Sequence, residues 1–138
     1  MKVSYIWGLI MVALLVMPAC NNSNDNPTPN PINPNLLNIW KVAQVLEGSL
    51  DVSSEFSQYR LTLAEASGNK TFTLIKRDGT SLTGSWDISA DETTITLTAS
   101  GNTITFNSVS ITAGELKYTA EEQGKTGTVN LSFTLIPA

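Results

Sequence analysis

From residue 36 onward, apolar side chains recur at every second position. In KTFTLIKR, Phe72 and Leu74 alternate with Thr71 and Thr73. In SLTGSWDIS, Leu82, Gly84, Trp86 and Ile88 share one face. TTITLTA, TITF and ELKYTAE add Ile95 and Leu97, Ile104 and Phe106, and Leu116 and Tyr118. GTVNLSFTLI adds Val129, Leu131, Phe133 and Leu135. SQYRLTLA supplies Tyr59, Leu61 and Leu63, and IWKVAQVLE opens the series with Trp40, Val42 and Leu46. A period of two in β-branched and aromatic residues is the mark of half-buried strands, because successive side chains of a strand leave opposite faces. No long helical period competes with it.

Turn residues punctuate the series at even intervals: Gly68, Gly79, Asp91, Gly101, Gly114 and Gly124. Ser67-Gly68-Asn69, Asp78-Gly79 and Ser100-Gly101-Asn102 have hairpin chemistry, since Gly and Asn accept positive φ. Eight strands joined by such turns make an antiparallel meander. It is expected to close into an up-and-down barrel, which removes both sheet edges; a β-sandwich is the alternative. One connection breaks the rhythm. GSLDVSSEF, between a strand ending near Glu47 and one starting near Ser57, is longer and carries Leu50, Val52 and Phe56, which read as exposed. A long loop in a tight meander is often functional.

The first residues read differently. Lys2 is followed by an uncharged apolar run, Tyr5 to Met17, of 13 residues. That is the layout of a secretory signal and falls short of the ~20 residues of a membrane-spanning helix. Met17-Pro18-Ala19-Cys20 resembles the lipobox of bacterial lipoproteins, with Met17 where Leu is usual and Pro18 where Ser or Ala is usual. The resemblance implies cleavage after residue 19 and acylation of Cys20. Cys20 is the chain's only cysteine, so the exported domain has no internal disulfide. By the same resemblance, Asn21 lacks the Asp that retains some lipoproteins in the inner membrane, which points to the outer membrane.

Asn21 to Asn35 holds seven Asn and four Pro and, apart from Ile32, no large apolar residue. Such a segment cannot bury a core and reads as a disordered tether. The chain therefore divides into a lipoprotein signal peptide (1–19), a lipidated Cys with an Asn/Pro-rich tether (20–35) and a β-barrel domain (36–138). Removing residues 1–19 takes away Lys2 and no acid, leaving seven basic against twelve acidic residues, a net charge of −5. An acidic chain has no electrostatic attraction to nucleic acid or to anionic headgroups. The membrane is therefore expected to be held through the lipid, whose chains each contribute ~0.8 kcal/mol per buried methylene.

NIWKVAQV, YRLTL, KTFTLIKRDGT, LTGSWDIS, TTITLT and VSITAGELKYT together resemble the lipocalin-like domains of lipoproteins from Gram-negative gut bacteria. The resemblance spans nearly all of 36–138, and Gly84-Ser85-Trp86 is its most specific part. Asn38-Ile39-Trp40 stands where Gly-x-Trp is usual. The resemblance implies an eight-stranded lipocalin-like barrel; members mostly lack an assigned activity, and a fold does not by itself give a function.

The sequence contains no histidine, which excludes His-based triads, general bases and metal sites; no cofactor is expected, nor an enzyme. Asp87, Asp91 and Glu92 fall near one turn, but their spacing does not match a calcium loop. Lys76-Arg77-Asp78-Gly79 reads as a charged hairpin tip or a basic lip. What remains is the barrel interior. Trp40, Tyr59, Phe72, Trp86, Phe106 and Tyr118 face it, with Leu50 and Phe56 in the long loop. These eight are the candidate contacts for a small apolar ligand. An eight-stranded barrel, however, is only just wide enough for its own side chains or one small ligand. The chain is thus expected to be either a lipid-anchored binding module or a filled scaffold that docks a protein partner in the envelope through its loops. Cys20→Ser should release the domain from membranes or leave the precursor uncleaved. If the cleaved variant still sediments with membranes, the lipid is not the anchor.

Overall fold

The computed structural model describes residues 31–138. Cys20, the signal sequence and most of the tether lie outside the described residues. The described residues form nine antiparallel strands: β1 (Ile39–Glu47), β2 (Leu50–Asp51), β3 (Arg60–Ala66), β4 (Asn69–Ile75), β5 (Ser81–Ile88), β6 (Ile95–Ala99), β7 (Asn102–Thr112), β8 (Glu115–Gly124) and β9 (Gly127–Pro137). From β3 to β9 each strand pairs with its sequence neighbour, β1 pairs with β3, and β1 also pairs with β9. The result is a closed eight-stranded up-and-down barrel, with β2 as a two-residue appendage on β1.

The hairpins form where turn chemistry calls for them. Ser67 and Gly68 have φ of 52° and 82°, and Ser100 and Gly101 have 48° and 80°. Two successive positive φ values give the turn whose twist matches the flanking strands. Gly79 at φ 82° turns the β4–β5 connection, where Lys76 N–H donates to the Thr80 carbonyl at 2.8 Å.

Strict alternation fails at two bulges. The β1–β9 register shifts between Val42 and Gln44, so Val45 faces inward and is fully buried, while Leu46 is only half-buried. The sequence pattern places Leu46 in that role, and the extra residue of the bulge reverses the parity. The β7–β8 register shifts between Asn107 and Ser110, around Ser108 at φ 53°. It brings Val109 into the core after Phe106.

The long connection seals a seam. β1 pairs with β3 only over Ile39–Lys41, so its upper half has no β3 partner. β2 pairs there with Leu46 and Glu47, and a 3-10 helix follows at Ser53–Phe56. Val52 N–H donates to the Val45 carbonyl at 2.9 Å, and Val45 N–H donates to Ser53 Oγ at 2.9 Å. Backbone groups that a longer β3 would satisfy are satisfied by the loop. β3 consequently starts at Arg60, three residues beyond the start read from the sequence. Phe56, which reads as exposed in the sequence, is buried; Leu50 is exposed.

Among the described residues the interior holds 21 buried hydrophobic residues and no buried charge. The end opposite this loop is closed by a 3-10 turn, Pro34–Leu36. Leu36 is fully buried and accepts a hydrogen bond from Trp40 Nε1 at 3.1 Å. Ile32 packs against the same core, so the packed unit begins four residues before the boundary suggested by composition.

Gly84 has a packing role. A Cβ there would lie 2.0 Å from the Thr98 carbonyl oxygen and 3.0 Å from the Phe72 ring. β5 and β6 approach too closely for any side chain at this position. Gly114, by contrast, has nothing within 4 Å of a built Cβ and no positive φ. Gly84→Ala should therefore cost about 3 kcal/mol or more, above most overpacking changes, whereas Gly114→Ala should stay within about 0.5 kcal/mol. Urea unfolding of both variants tests the assignment; similar losses would show that the strands at Gly84 can separate.

Candidate functional site at the barrel mouth

The end of the barrel where β1 finishes is ringed by the Gly48–Tyr59 loop, the β4–β5 hairpin, the β6–β7 turn and the β8–β9 turn. Just inside it, aromatic side chains from adjacent strands lie against one another. Tyr118 of β8 stacks on Phe106 of β7 with centroids 4.0 Å apart and planes 15° apart. It stacks on Phe133 of β9 at 5.0 Å on its other side. Tyr59 stacks on Phe133 at 5.2 Å, and Phe56 meets Phe133 edge-on at 5.3 Å. Antiparallel pairing puts inward residues of neighbouring strands level with each other, so rings at those positions stack.

Phe56 is the uppermost ring, and Arg77 of the β4–β5 hairpin covers it. The guanidinium carbon lies 5.7 Å from the Phe56 ring centre. Arg77 also pairs with Glu55 at 3.5 Å and donates through Nη2 to the Gln123 carbonyl at 3.0 Å. One side chain thus ties the loop, the β4–β5 hairpin and the end of β8 together. Beside it a cleft of about 510 Å³ opens outward, bordered by Val52, Phe56, Asp78, Lys125 and Val129.

A second, smaller recess of about 190 Å³ lies between β4, β7 and β8. Tyr59, Leu74, Ile104, Phe106 and Ala120 line it together with the polar Lys76, Glu121, Glu122 and Gln123. The Tyr59 and Tyr118 hydroxyls lie 2.6 Å apart, and both residues are 2% exposed. Burial is the main cause that pushes both phenols well above their ordinary range. The hydrogen bond from Tyr118 lowers Tyr59 in part, and the Glu122 carboxylate raises both.

The eight residues singled out by the sequence separate into three groups. Phe56, Tyr59, Phe106 and Tyr118 come together, with Phe133, in the ring stack. Trp40, Phe72 and Trp86 are buried toward the opposite end, where Trp86 Nε1 donates to the Ala64 carbonyl at 3.0 Å. Leu50 stands apart from both, 64% exposed on the mouth loop. Arg77 and Lys76 belong to the segment read from the sequence as a charged hairpin tip or basic lip, and Glu122 was missed as a contributor. Glu122 was legible, since it continues the inward alternation of Tyr118 and Ala120; the aim of Arg77 across a hairpin was not. At the far end, Asp87 pairs with Lys70 at 2.6 Å, and Asp91 accepts from Ser89 Oγ at 2.6 Å. Among the described residues no group of three or more acidic or thiol side chains could hold a metal ion.

Compared with known protein families and with curated proteins, the chain matches no family and no characterised relative.

The tyrosine pair gives the domain a pH signature. Tyr59 and Tyr118 are the only tyrosines among the described residues. Their folded pKa values lie above the unfolded value near 10. The folded state therefore keeps protons that the unfolded chain releases, and stability is full below pH ~10 and falls as pH rises past it. In a chain of residues 31–138, tyrosinate absorbance at 295 nm should stay absent through pH ~10 and emerge together with loss of tertiary circular dichroism. Gradual ionisation of a folded domain near pH 10 would contradict the buried pair.

Proposed function

We propose that the protein is a lipid-anchored lipoprotein of the outer membrane, of the lipocalin-like class. Its filled barrel is a non-catalytic scaffold that meets an envelope partner through the loops of its mouth. The observation that carries this reading is the ring stack. Phe56, Tyr59, Phe106, Tyr118 and Phe133 occupy the space where a calyx would open, in mutual contact at 4.0–6.0 Å. An acyl chain could not enter without displacing rings whose burial stabilises the fold by roughly 1.5–3 kcal/mol each. The Cys20 lipobox and the signal sequence support the address, and the absence of histidine supports a non-catalytic role. Leu50, apolar and exposed at the mouth, supports the loops as the working surface; single exposed apolar residues are common, so Leu50 marks a position to test.

A photoreactive amino acid placed at position 50, and separately at Thr98 on the exposed outer wall, tests the reading in the producing cells. Position 50 should give a discrete covalent adduct with one envelope component, and position 98 none. No adduct at either, or the same adducts at both, would overturn it. So would saturable uptake of a long-chain fatty acid that quenches Trp40 and Trp86 fluorescence.

A further inference from the structure

Between β7 and β8 the barrel wall has a slot. β8 pairs with β9 from Leu116 opposite Leu135 to Gly124 opposite Gly127, and β7 pairs with β6 from Phe106 opposite Ile95 to Asn102 opposite Ala99. The β7–β8 ladder is shorter. It starts at Thr112 opposite Glu115 and stops at Asn107 opposite Thr119, just past the bulge, whose extra twist turns the rest of β7 away. Among the described residues no pairing joins 102–106 to 120–124. The free groups can be assigned. Along an antiparallel strand the N–H and C=O of one residue point to the same neighbour, and successive residues alternate. Ala99 and Asn102 flank a two-residue turn and bond to each other, so Ile104 and Phe106 also face β6, and Thr103 and Thr105 face β8. The same count from Gly124 and Gly127 turns Glu121 and Gln123 toward β7. All four residues are exposed. The Gln123 carbonyl is met by no strand: it accepts instead from Arg77 Nη2, a side chain of another hairpin, at 3.0 Å. The seam between β1 and β3 is filled by the chain's own loop; this one is left open.

We infer that the slot takes up a short extended segment of a partner protein as an added strand, held by main-chain bonds to Thr103 and Thr105 on one side and Glu121 on the other. Two strand edges that face each other admit an isolated segment, whereas a second barrel cannot bring its own wall between them. The chain's own tether does not suit the slot. Pro27, Pro29 and Pro31 remove the N–H at alternate positions, where an added strand must donate, and the tether joins the domain at the opposite end. Side chains set the rest of the partner's chemistry. Leu74, Ile104, Phe106 and Ala120 line the recess behind the slot, so an inward side chain of the segment is apolar. At about 190 Å³ the recess has room for a side chain and not for a folded surface. Glu121 and Glu122 outnumber Lys76 around it, so a flanking position is basic. The partner segment is therefore a proline-free strand in which apolar and basic residues alternate. The inference rests on the scaffold reading and adds how the partner's main chain is gripped.

The test uses a chain of residues 31–138, which holds the packed unit from Ile32 onward, and a capped peptide of sequence Thr-Lys-Val-Lys-Val-Thr as probe. Amide hydrogen exchange is read residue by residue. In the free domain the Thr103, Thr105 and Glu121 amides should exchange about tenfold or more faster than those of Ile104 and Phe106, which lie in the β6 ladder. Peptide at millimolar concentration should slow all three by about tenfold or more. The same peptide N-methylated at both valines loses its donors to one edge and should bind about fivefold more weakly or worse, the range of one net hydrogen bond. Thr105→Pro removes a slot-facing N–H and no ladder bond; it should melt within about 3 °C of the unmutated chain and weaken the peptide about fivefold. Slow exchange at Thr103 and Thr105 in the free domain would mean a closed wall and overturn the inference. Absence of protection by the peptide would do the same, as would binding that the N-methyl groups leave unchanged, since side chains would then carry it. If Thr105→Pro does not fold, exchange in the unmutated chain decides. An adduct at position 50 without protection at the slot would overturn this inference and leave the scaffold reading standing.

Discussion

Everything in this structure depends on β1 pairing with β9. That contact runs from Trp40 opposite Pro137 to Glu47 opposite Leu131 and joins the first strand of the domain to the last. Without it the meander is an open, twisted sheet with two edges and a half-covered face; with it, the edges disappear and an interior is defined. Closure also explains the loop after β1. A strand that reaches along β9 for its whole length runs past the start of β3, and the Leu50–Phe56 segment satisfies the part of β1 left over. The irregular connection is a consequence of joining two strands of unequal reach.

Eight strands set the bore, and side chains then decide whether it is a cup or a plug. Here the inward positions of β7, β8 and β9 carry Phe106, Tyr118 and Phe133 near one level, and the loop lowers Phe56 onto them. Trp40 and Trp86 fill the lower half, each with its indole N–H bonded to a backbone carbonyl. A buried indole that finds an acceptor contributes its full apolar area with no polar penalty. The tyrosine pair follows the same logic: deep in the ring stack, each hydroxyl finds its partner in the other, 2.6 Å away.

The strands, the turns and most of the core were legible because period two is a strong local signal and turns with two positive φ values have few acceptable sequences. Phe72, Leu74, Trp86, Leu97, Leu131 and Phe133 follow directly from it. The errors have a common origin. Val45 in place of Leu46, and Val109 after Phe106, come from bulges, where one extra residue reverses every later side chain and nothing in the local pattern announces it. Phe56 resembles an exposed loop residue because its neighbours Ser53, Ser54 and Glu55 are polar; its burial is decided by Phe133, 77 positions away. Gly84 invites a local explanation, as space for the ring of Trp86. The carbonyl of Thr98 on the next strand is what requires it.

The two ends of the barrel are chemically unequal, and this bears on orientation. The chain enters at the end closed by Leu36 and Trp40, with Ile32 already packed against the core. The mouth, with Arg77 over Phe56 and the recess beside Tyr59, is at the other end. If Cys20 carries the lipid, only the eleven residues 21–31 separate the anchor from the packed domain, a contour of at most about 40 Å. That is similar to the length of the barrel itself, whose longest strands have 11 residues rising ~3.4 Å each. A leash of that length fixed at one end of a rigid cylinder biases the opposite end away from the headgroups. The net charge of −4, with no attraction to anionic lipid, does not counter that bias. On the proposal that Cys20 carries the lipid, the mouth is the end turned toward the aqueous space, where a protein partner would meet it.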